Sequence, residues 1–174
     1  MSDDSPLGVP AAAARSRPLS CPSARPDTEG AVIFGVVGGS VEEPRVGYLA
    51  RPVAPTPEIL ALAAPAAPAA VFRFGGRCAE SGCRHFAGAR CSLGERLVQL
   101  LPATGDRLPP CTLRPTCRWW HEQGAAACHR CPQVVTQDAM PSLGLARAAE
   151  PPGSPERIDP GDAASAAASG PGGW

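Results

Sequence analysis

Lysine and asparagine are both absent from this chain, and aromatic residues make up only 5% of its 174 residues. So few large apolar side chains exclude an extensive hydrophobic core. The 19 Gly and 22 Pro bring the composition close to the range of low-complexity segments. One ordinary domain would fit in this length, but the composition predicts that only part of the chain packs.

Long apolar runs are absent as well. No stretch approaches the roughly 18 apolar residues of a membrane span, and the start, Met1-Ser2-Asp3-Asp4, lacks the basic residues of a secretory signal. We therefore expect a cytoplasmic protein with no membrane partner. Cytosolic thiols are kept reduced, so a cluster of cysteines there indicates metal binding or catalysis rather than disulfides.

Cysteine is the residue that the chain has in abundance. Seven of the eight cysteines and all three histidines lie in the 54-residue window from 78 to 131. The spacing C-x4-C-x-H-x5-C is followed by C-x5-C-x10-C-x2-C. Seven cysteines and one histidine supply eight ligands, which is enough for two four-ligand metal sites. The first predicted site consists of Cys78, Cys83, His85 and Cys91, and the second of Cys111, Cys117, Cys128 and Cys131.

The remaining cysteine, Cys21, stands far from this window between Ser20 and Pro22. Its isolation favours an incidental free thiol over a ligand.

An iron–sulfur cluster is the predicted cofactor, with zinc as the alternative. Zinc ribbons usually carry repeated short C-x2-4-C pairs, whereas this chain has one C-x2-C, at Cys128 and Cys131. The wider gaps suit a cluster held by scattered loops, and Pro132 follows Cys131 as in many bacterial ferredoxin motifs. A redox dithiol or disulfide is a third reading. So many cysteines favour ligation over a catalytic Cys–His pair, so no catalytic residue is assigned and an enzyme is disfavoured.

Helix signals accompany the cysteines. Ser92 and Glu95 form a capping-box pattern, which predicts a helix that places Cys91 just before its N-terminus. A second helix is predicted from Pro115 to about Gln123. A module this small needs a metal to fold.

The fold class that these patterns predict is a small irregular α+β protein. It has an N-terminal β-hairpin, a metal-stapled Cys-rich helical module and disordered termini. The predicted ranges are 1–29 disordered, 30–74 for the hairpin, a short helix and a Pro/Ala spacer, 75–136 for the metal-binding module, and 137–174 disordered.

The predicted function is that of a non-enzymatic iron–sulfur redox carrier, sensor or accessory factor. The alternative is a zinc-stapled interaction module for a protein or nucleic-acid partner. Residues 73–131 carry nine Arg against four acidic side chains. Because Arg can offset the negative charge of thiolate ligands, this excess is predicted to serve the metal sites rather than nucleic acid, and an unidentified protein is the favoured partner.

Overall fold

A computed structural model describes residues 18–40, 43–137 and 140–154. Its centre is a four-stranded sheet in the order β1-β4-β2-β3, with every neighbouring pair antiparallel. The strands are β1 (Ser20–Cys21), β2 (Val32–Gly39), β3 (Pro44–Val53) and β4 (Phe72–Arg77). The predicted hairpin is confirmed as β2 and β3, within this larger sheet.

Short helices surround the sheet within the described ranges. They are α1 (Pro57–Ala61), α2 (Pro68–Val71), α3 (Ser92–Leu100), α4 (Arg118–Gln123), α5 (Ala125–Cys128) and α6 (Leu143–Ala148). A small ribbon pairs β5 (Phe86–Ala87) with β6 (Arg90–Cys91). None of these helices is long and apolar enough to cross a membrane.

Helix starts follow the local sequence in one case and depart from it in another. Thr56 caps α1, because its hydroxyl accepts from the N–H of Ile59 at 3.4 Å. The capping box predicted at Ser92 is wrong. The Ser92 hydroxyl instead donates to the carbonyl of His85 at 2.8 Å, and Cys91 is the N-cap residue of α3.

The two faces of the sheet bury different partners. On one face Ile33, Phe72 and Phe74 pack against α1 and α2. On the other, Phe34 joins the cluster formed by Leu97, Trp119 and the cysteine region. Alternate side chains of a strand point to opposite faces, so β4 sends its two Phe one way and Arg73 the other.

Arg73 joins the sheet to the cysteine region. It is 0% exposed, and its guanidinium lies 5.6 Å from the centre of the Phe34 ring. It donates to the carbonyl of Cys131 at 2.7 Å and to the carbonyl of Pro22 at 3.1 Å. A buried charge is tolerated when it forms hydrogen bonds of this kind, and these bonds fix three distant segments against one another.

The prediction of disorder over residues 1–29 is wrong for residues 18–29. Ser20 and Cys21 pair with Arg77 and Gly76 of β4, and the N–H of Ala24 donates to the carbonyl of Phe74 at 3.1 Å. Backbone pairing with an established strand supplies the order that local composition does not. Residues 1–17 lie outside the described residues.

The prediction of disorder over residues 137–174 is wrong where α6 forms. Ser142 caps this helix by accepting from the N–H of Leu145, which is buried in the main core with Ala148. The segment between 155 and 174 lies outside the described residues. The predicted domain boundary between residues 74 and 75 falls inside β4.

We predict that Arg73→Leu lowers the free energy of unfolding by about 2–6 kcal/mol, because each of the two carbonyls left without a donor costs about 1–3 kcal/mol. Chemical denaturation followed by tryptophan fluorescence measures this. Arg77→Leu on the same strand is the control, since its ion pair with Glu29 is exposed and should contribute less than about 1 kcal/mol. Equal effects of the two substitutions would contradict a structural role for Arg73.

Candidate metal centres

Four cysteines line one cavity of about 390 Å³ between the sheet edge, α3 and α6. Three of them, Cys78, Cys83 and Cys91, belong to the first predicted site, and His85 lines the same cavity. The fourth is Cys21, whose isolation in the sequence predicts an incidental thiol. Its placement among three other cysteines makes it a candidate ligand.

Strand pairing brings Cys21 to this cavity. Cys21 lies opposite Gly76 in the β1–β4 register, and the N–H of Cys78 donates to the carbonyl of Leu19 at 2.9 Å. The hydroxyls of Ser20 and Thr116 also share a hydrogen bond, with their oxygens 3.0 Å apart. A two-residue strand leaves almost no periodic signal in a sequence. The signal that could have found Cys21 is the cysteine count itself, since eight cysteines make two sets of four without a histidine.

Tight turns present the other thiols of the first cavity. A 3-10 turn over Glu80–Gly82 leads into Cys83, whose Sγ accepts from the N–H of His85 at 3.4 Å. Cys91 sits at the N-terminus of α3, where free N–H groups favour a thiolate. The N–H groups of Gly94 and Leu93 lower its pKa, although burial has the larger effect and raises it.

An arginine–glutamate pair ties this cavity to α4. Arg118 is only 5% exposed, and its Nε donates to Cys78 Sγ at 3.0 Å. The same guanidinium bonds Glu122 at 2.9 Å and Glu80 at 2.5 Å. Glu122 in turn accepts from the N–H of Cys91 at 2.8 Å. Arg118 and Glu122 therefore each form a hydrogen bond with one cysteine of this cavity.

The surroundings of His85 favour its neutral imidazole form. Burial lowers its pKa, and Arg84 and Arg96 lower it further. Its Nδ1 is buried without a hydrogen-bond partner among the described residues. His121 and His129 do not line either cysteine cavity in the described part of the chain.

The second set of cysteines also shares one cavity. It measures about 20 Å³, and Tyr48, Arg114 and Trp119 contribute to its wall. Its cysteines are the four predicted for the second site, Cys111, Cys117, Cys128 and Cys131. The structure thus brings these four together, while their binding of a metal stays a prediction.

Hydrogen-bond donors surround these sulfurs. Cys117 is the N-cap residue of α4, and the N–H groups of Trp120 and Trp119 stabilise its thiolate. The N–H of Leu113 acts in the same way on Cys111. Two guanidinium groups add to this, because Arg114 lowers the pKa of Cys128 and Arg73 donates to Cys131 Sγ at 3.5 Å.

Burial favours the neutral thiol at five of the eight cysteines. It raises the pKa of Cys21 and of Cys117 from 9.0 to about 12, and it also raises the pKa of Cys91, Cys111 and Cys128. Neighbouring cysteines contribute, since Cys78, Cys91 and Cys83 each raise the pKa of Cys21. All eight thiols are free. A metal ligand must be a thiolate, so binding would displace protons from these sulfurs.

The cysteines of each cavity do not converge on one point. Within the described ranges, no group of three or more Cys, His, Asp or Glu side chains is placed to hold a single metal ion. A zinc ion needs four ligand atoms within about 2–2.3 Å of one centre.

Several donors around the cavities lack an acceptor. The Tyr48 hydroxyl, Arg73 Nε, Arg114 Nε and Trp119 Nε1 are buried with no hydrogen-bond partner among the described residues. Tyr48, Arg114 and Trp119 all line the second cavity. Such groups are usually paired in proteins, and an acceptor-only ligand such as sulfide would pair with them.

The chain matches no protein-family model, no curated protein and no solved structure. The candidate site is therefore interpreted from its own geometry.

Gly94 is predicted to be essential to the packing between the cavities. A Cβ there would lie 2.8 Å from Trp119 Cδ1, and overpacking of this kind costs about 1–3 kcal/mol. Gly94→Ala should therefore destabilise the protein in a chemical-denaturation experiment, although Ala is the better helix former. Gly82→Ala, whose Cβ would meet only Ala79 at 3.8 Å, should be close to neutral. A stabilised Gly94→Ala protein would show that α3 has room to spare beside the indole.

Proposed function

We propose that this chain is an iron–sulfur protein that holds two clusters and transfers single electrons. The observation that carries the proposal is the division of all eight cysteines into two cavities with four in each. Four cysteine thiolates are the usual ligand set of a 4Fe–4S cluster. Eight functionally unrelated cysteines would not be expected to divide into two groups of four.

The first cluster is assigned to Cys21, Cys78, Cys83 and Cys91. Cys21 replaces His85 in the predicted ligand set because its thiol lies close enough to the other three for each to raise its pKa. His85 remains beside the cluster as a neutral imidazole. The second cluster is assigned to the predicted set, Cys111, Cys117, Cys128 and Cys131.

Buried hydrogen-bond donors beside the thiols favour a cluster over a zinc ion. Tyr48 and Arg114 line the second cavity, and the Tyr48 hydroxyl and Arg114 Nε have no hydrogen-bond partner among the described residues. Inorganic sulfide would accept hydrogen bonds from them, whereas a zinc ion accepts none.

The small volume of the second cavity limits how a cluster can enter it. Its volume of about 20 Å³ is near that of one water, so a four-iron core enters only if the surrounding segment moves outward. Pro109 and Cys111 line this cavity and belong to the segment before Thr112 in which the structure shows no helix or strand. This segment is the part that we expect to shift.

A cluster in these sites would supply one-electron chemistry, and the chain would set its potential. Hydrogen bonds to the sulfurs, nearby charge and solvent exposure are the means by which proteins do this. Arg118 acts on Cys78, Arg114 on Cys128 and Arg73 on Cys131. Positive charge beside a cluster stabilises its reduced, more negative state, so these three arginines raise its potential.

Five of the nine arginines in residues 73–131 are buried or half-buried, and the other four are exposed. Arg130 donates to the carbonyls of Leu101 and Ala126 at 2.7 and 2.9 Å, and Arg118 and Arg114 bond the cysteine region. This supports an accessory or carrier role with a protein partner rather than nucleic-acid binding.

The decisive experiment is to purify the protein without oxygen and to measure iron, acid-labile sulfide and zinc. We expect brown protein with about eight iron atoms and eight sulfides per chain, or about four of each per cluster. Colourless protein with stoichiometric zinc would contradict the proposal. About four iron atoms with one zinc ion would limit it to one of the two sites.

Single substitutions then separate Cys21 from His85. Cys21→Ser should remove about half of the iron while the second cluster remains, because a 4Fe–4S cluster needs four ligands. His85→Ala should retain both clusters and change only the potential of the first. Full iron content in Cys21→Ser together with iron loss in His85→Ala would restore the ligand set with the histidine.

A further inference from the structure

The larger cysteine cavity has a second wall, which carries no cysteine. We call it the α6 wall, because it is formed by α6 and by the segments just before and after that helix. Its apolar residues are Val134, Val135, Pro141, Leu145, Ala146 and Ala149. Sites for small organic molecules usually measure about 300–1,000 Å³ and combine mostly apolar walls with a few polar groups. This cavity, with a volume of about 390 Å³, has the size and the lining of such a site.

The α6 wall is fixed to the neighbouring helix α3. Arg96 of α3 donates to the carbonyl of Arg147, and its guanidinium lies 3.8 Å from the carboxylate of Glu150. Gly144 packs so closely that an added Cβ would lie 3.0 Å from Leu101 Cδ2. The wall is therefore formed before any ligand arrives, which lowers the entropic cost of binding.

The charge of the cavity lining is positive. Arg25, Arg84 and Arg118 line the cavity, while no Asp or Glu is among the described residues that do so. Arg118 is already bound to two carboxylates. Arg84 is exposed and forms no ion pair within the described ranges. Arg25 pairs with Asp27 at 3.5 Å, but both side chains are largely exposed, and such pairs are weak. Arg25 and Arg84 are therefore available to an anion.

Polar groups next to these two arginines in the chain have unused hydrogen-bonding capacity. The hydroxyls of Ser23 and Thr136 both line the cavity and share one hydrogen bond, with their oxygens 3.1 Å apart. Two hydroxyls have two hydrogens, so one remains for another acceptor. His85 also lines the cavity, and its buried Nδ1 has no hydrogen-bond partner among the described residues. A carboxylate has acceptor oxygens only, so it can pair with such donors and with a guanidinium at once.

We propose that this cavity binds a small organic carboxylate with an apolar chain. The carboxylate lies at Arg25 and Arg84, and the chain lies along the α6 wall. Binding involves no covalent step. The proposal goes beyond the iron–sulfur function and does not depend on it, because neither the two arginines nor the α6 wall belongs to the assigned cluster ligands.

Isothermal titration calorimetry of the full-length protein with octanoate tests this proposal. We expect one octanoate per chain, with an affinity that falls as salt is added, because salt screens exposed charges. Acetate, which has the charge without the chain, should bind more than about a hundredfold more weakly, since each buried CH₂ contributes to affinity. Octylammonium, which has the chain with the opposite charge, should not bind. No binding of octanoate up to about 1 mM, or equal binding of octylammonium, would overturn the proposal.

The double substitution Arg25→Gln with Arg84→Gln tests the charged end of the site. Both side chains are exposed, so the fold should be unaffected. Octanoate affinity should fall at least about tenfold, because charge-assisted hydrogen bonds are lost. The matched control is Arg45→Gln with Arg107→Gln, which removes the same charge from exposed residues that do not line this cavity. An equal loss in the two double variants would reduce the effect to net charge and overturn the site.

The substitution Ala146→Leu tests the α6 wall. Ala146 is half-buried and lines the cavity, and Leu is a good helix former, so α6 should remain while the added side chain fills the space of the ligand. Octanoate affinity should fall at least about tenfold. Ala61→Leu, at an exposed position of α1, is the matched control and should bind as the wild type does.

Wild-type affinity in Ala146→Leu, or equal affinities for octanoate and acetate, would overturn the placement of the chain along the α6 wall and with it the proposal. If circular dichroism shows that Ala146→Leu is unfolded, the double arginine variant decides alone.

Iron and acid-labile sulfide are measured in the same samples, which keeps this proposal separate from the proposed function. Octanoate binding by a protein without iron supports the carboxylate site, while the two-cluster function fails. A protein with full iron content that does not bind octanoate overturns the carboxylate site alone.

Discussion

The hydrogen bonds of the buried Arg73 guanidinium are the interactions on which the rest of the structure depends. The guanidinium points from β4 away from the Phe face of the sheet and binds the carbonyls of Cys131 and Pro22. These two residues flank the candidate centres, one at the end of the second set and one beside Cys21. A lysine could not span both carbonyls with a planar fork. The sheet is therefore the frame against which both cysteine sets are held.

Local signals in the sequence predicted the local structure well. The hairpin of β2 and β3 and the position of Cys91 before a helix both depend on neighbours in the chain, and both are confirmed. The predicted capping box does not form because the Ser92 hydroxyl donates to the carbonyl of His85 instead. Residues 18–29 and α6 were missed because tertiary pairing, not composition, orders them.

The two cysteine sets differ in how much the sequence could reveal. The second set lies within 21 residues, from 111 to 131, so spacing alone grouped it. The first set draws one member from a strand of two residues, whose place is decided by pairing with β4. Only the long-range register distinguishes Cys21 from an incidental thiol. Proximity in sequence predicts His85 as the fourth ligand, because it lies two residues from Cys83. The same criterion excludes Cys21, which lies far from the other cysteines in the sequence.

The distance along the chain between Cys21 and its neighbours has a consequence for biosynthesis. Cys21 leaves the ribosome before Cys78, Cys83 and Cys91 have been made, and chains are synthesised at about 5–20 residues per second. For several seconds its thiol has neither β4 to pair with nor a cavity to cover it. During that interval it is open to oxidants and to other thiols. The cavity that these four cysteines line can form only after β4 and the start of α3 have emerged, so the fraction of chains that keep Cys21 reduced depends on how well the nascent chain is protected.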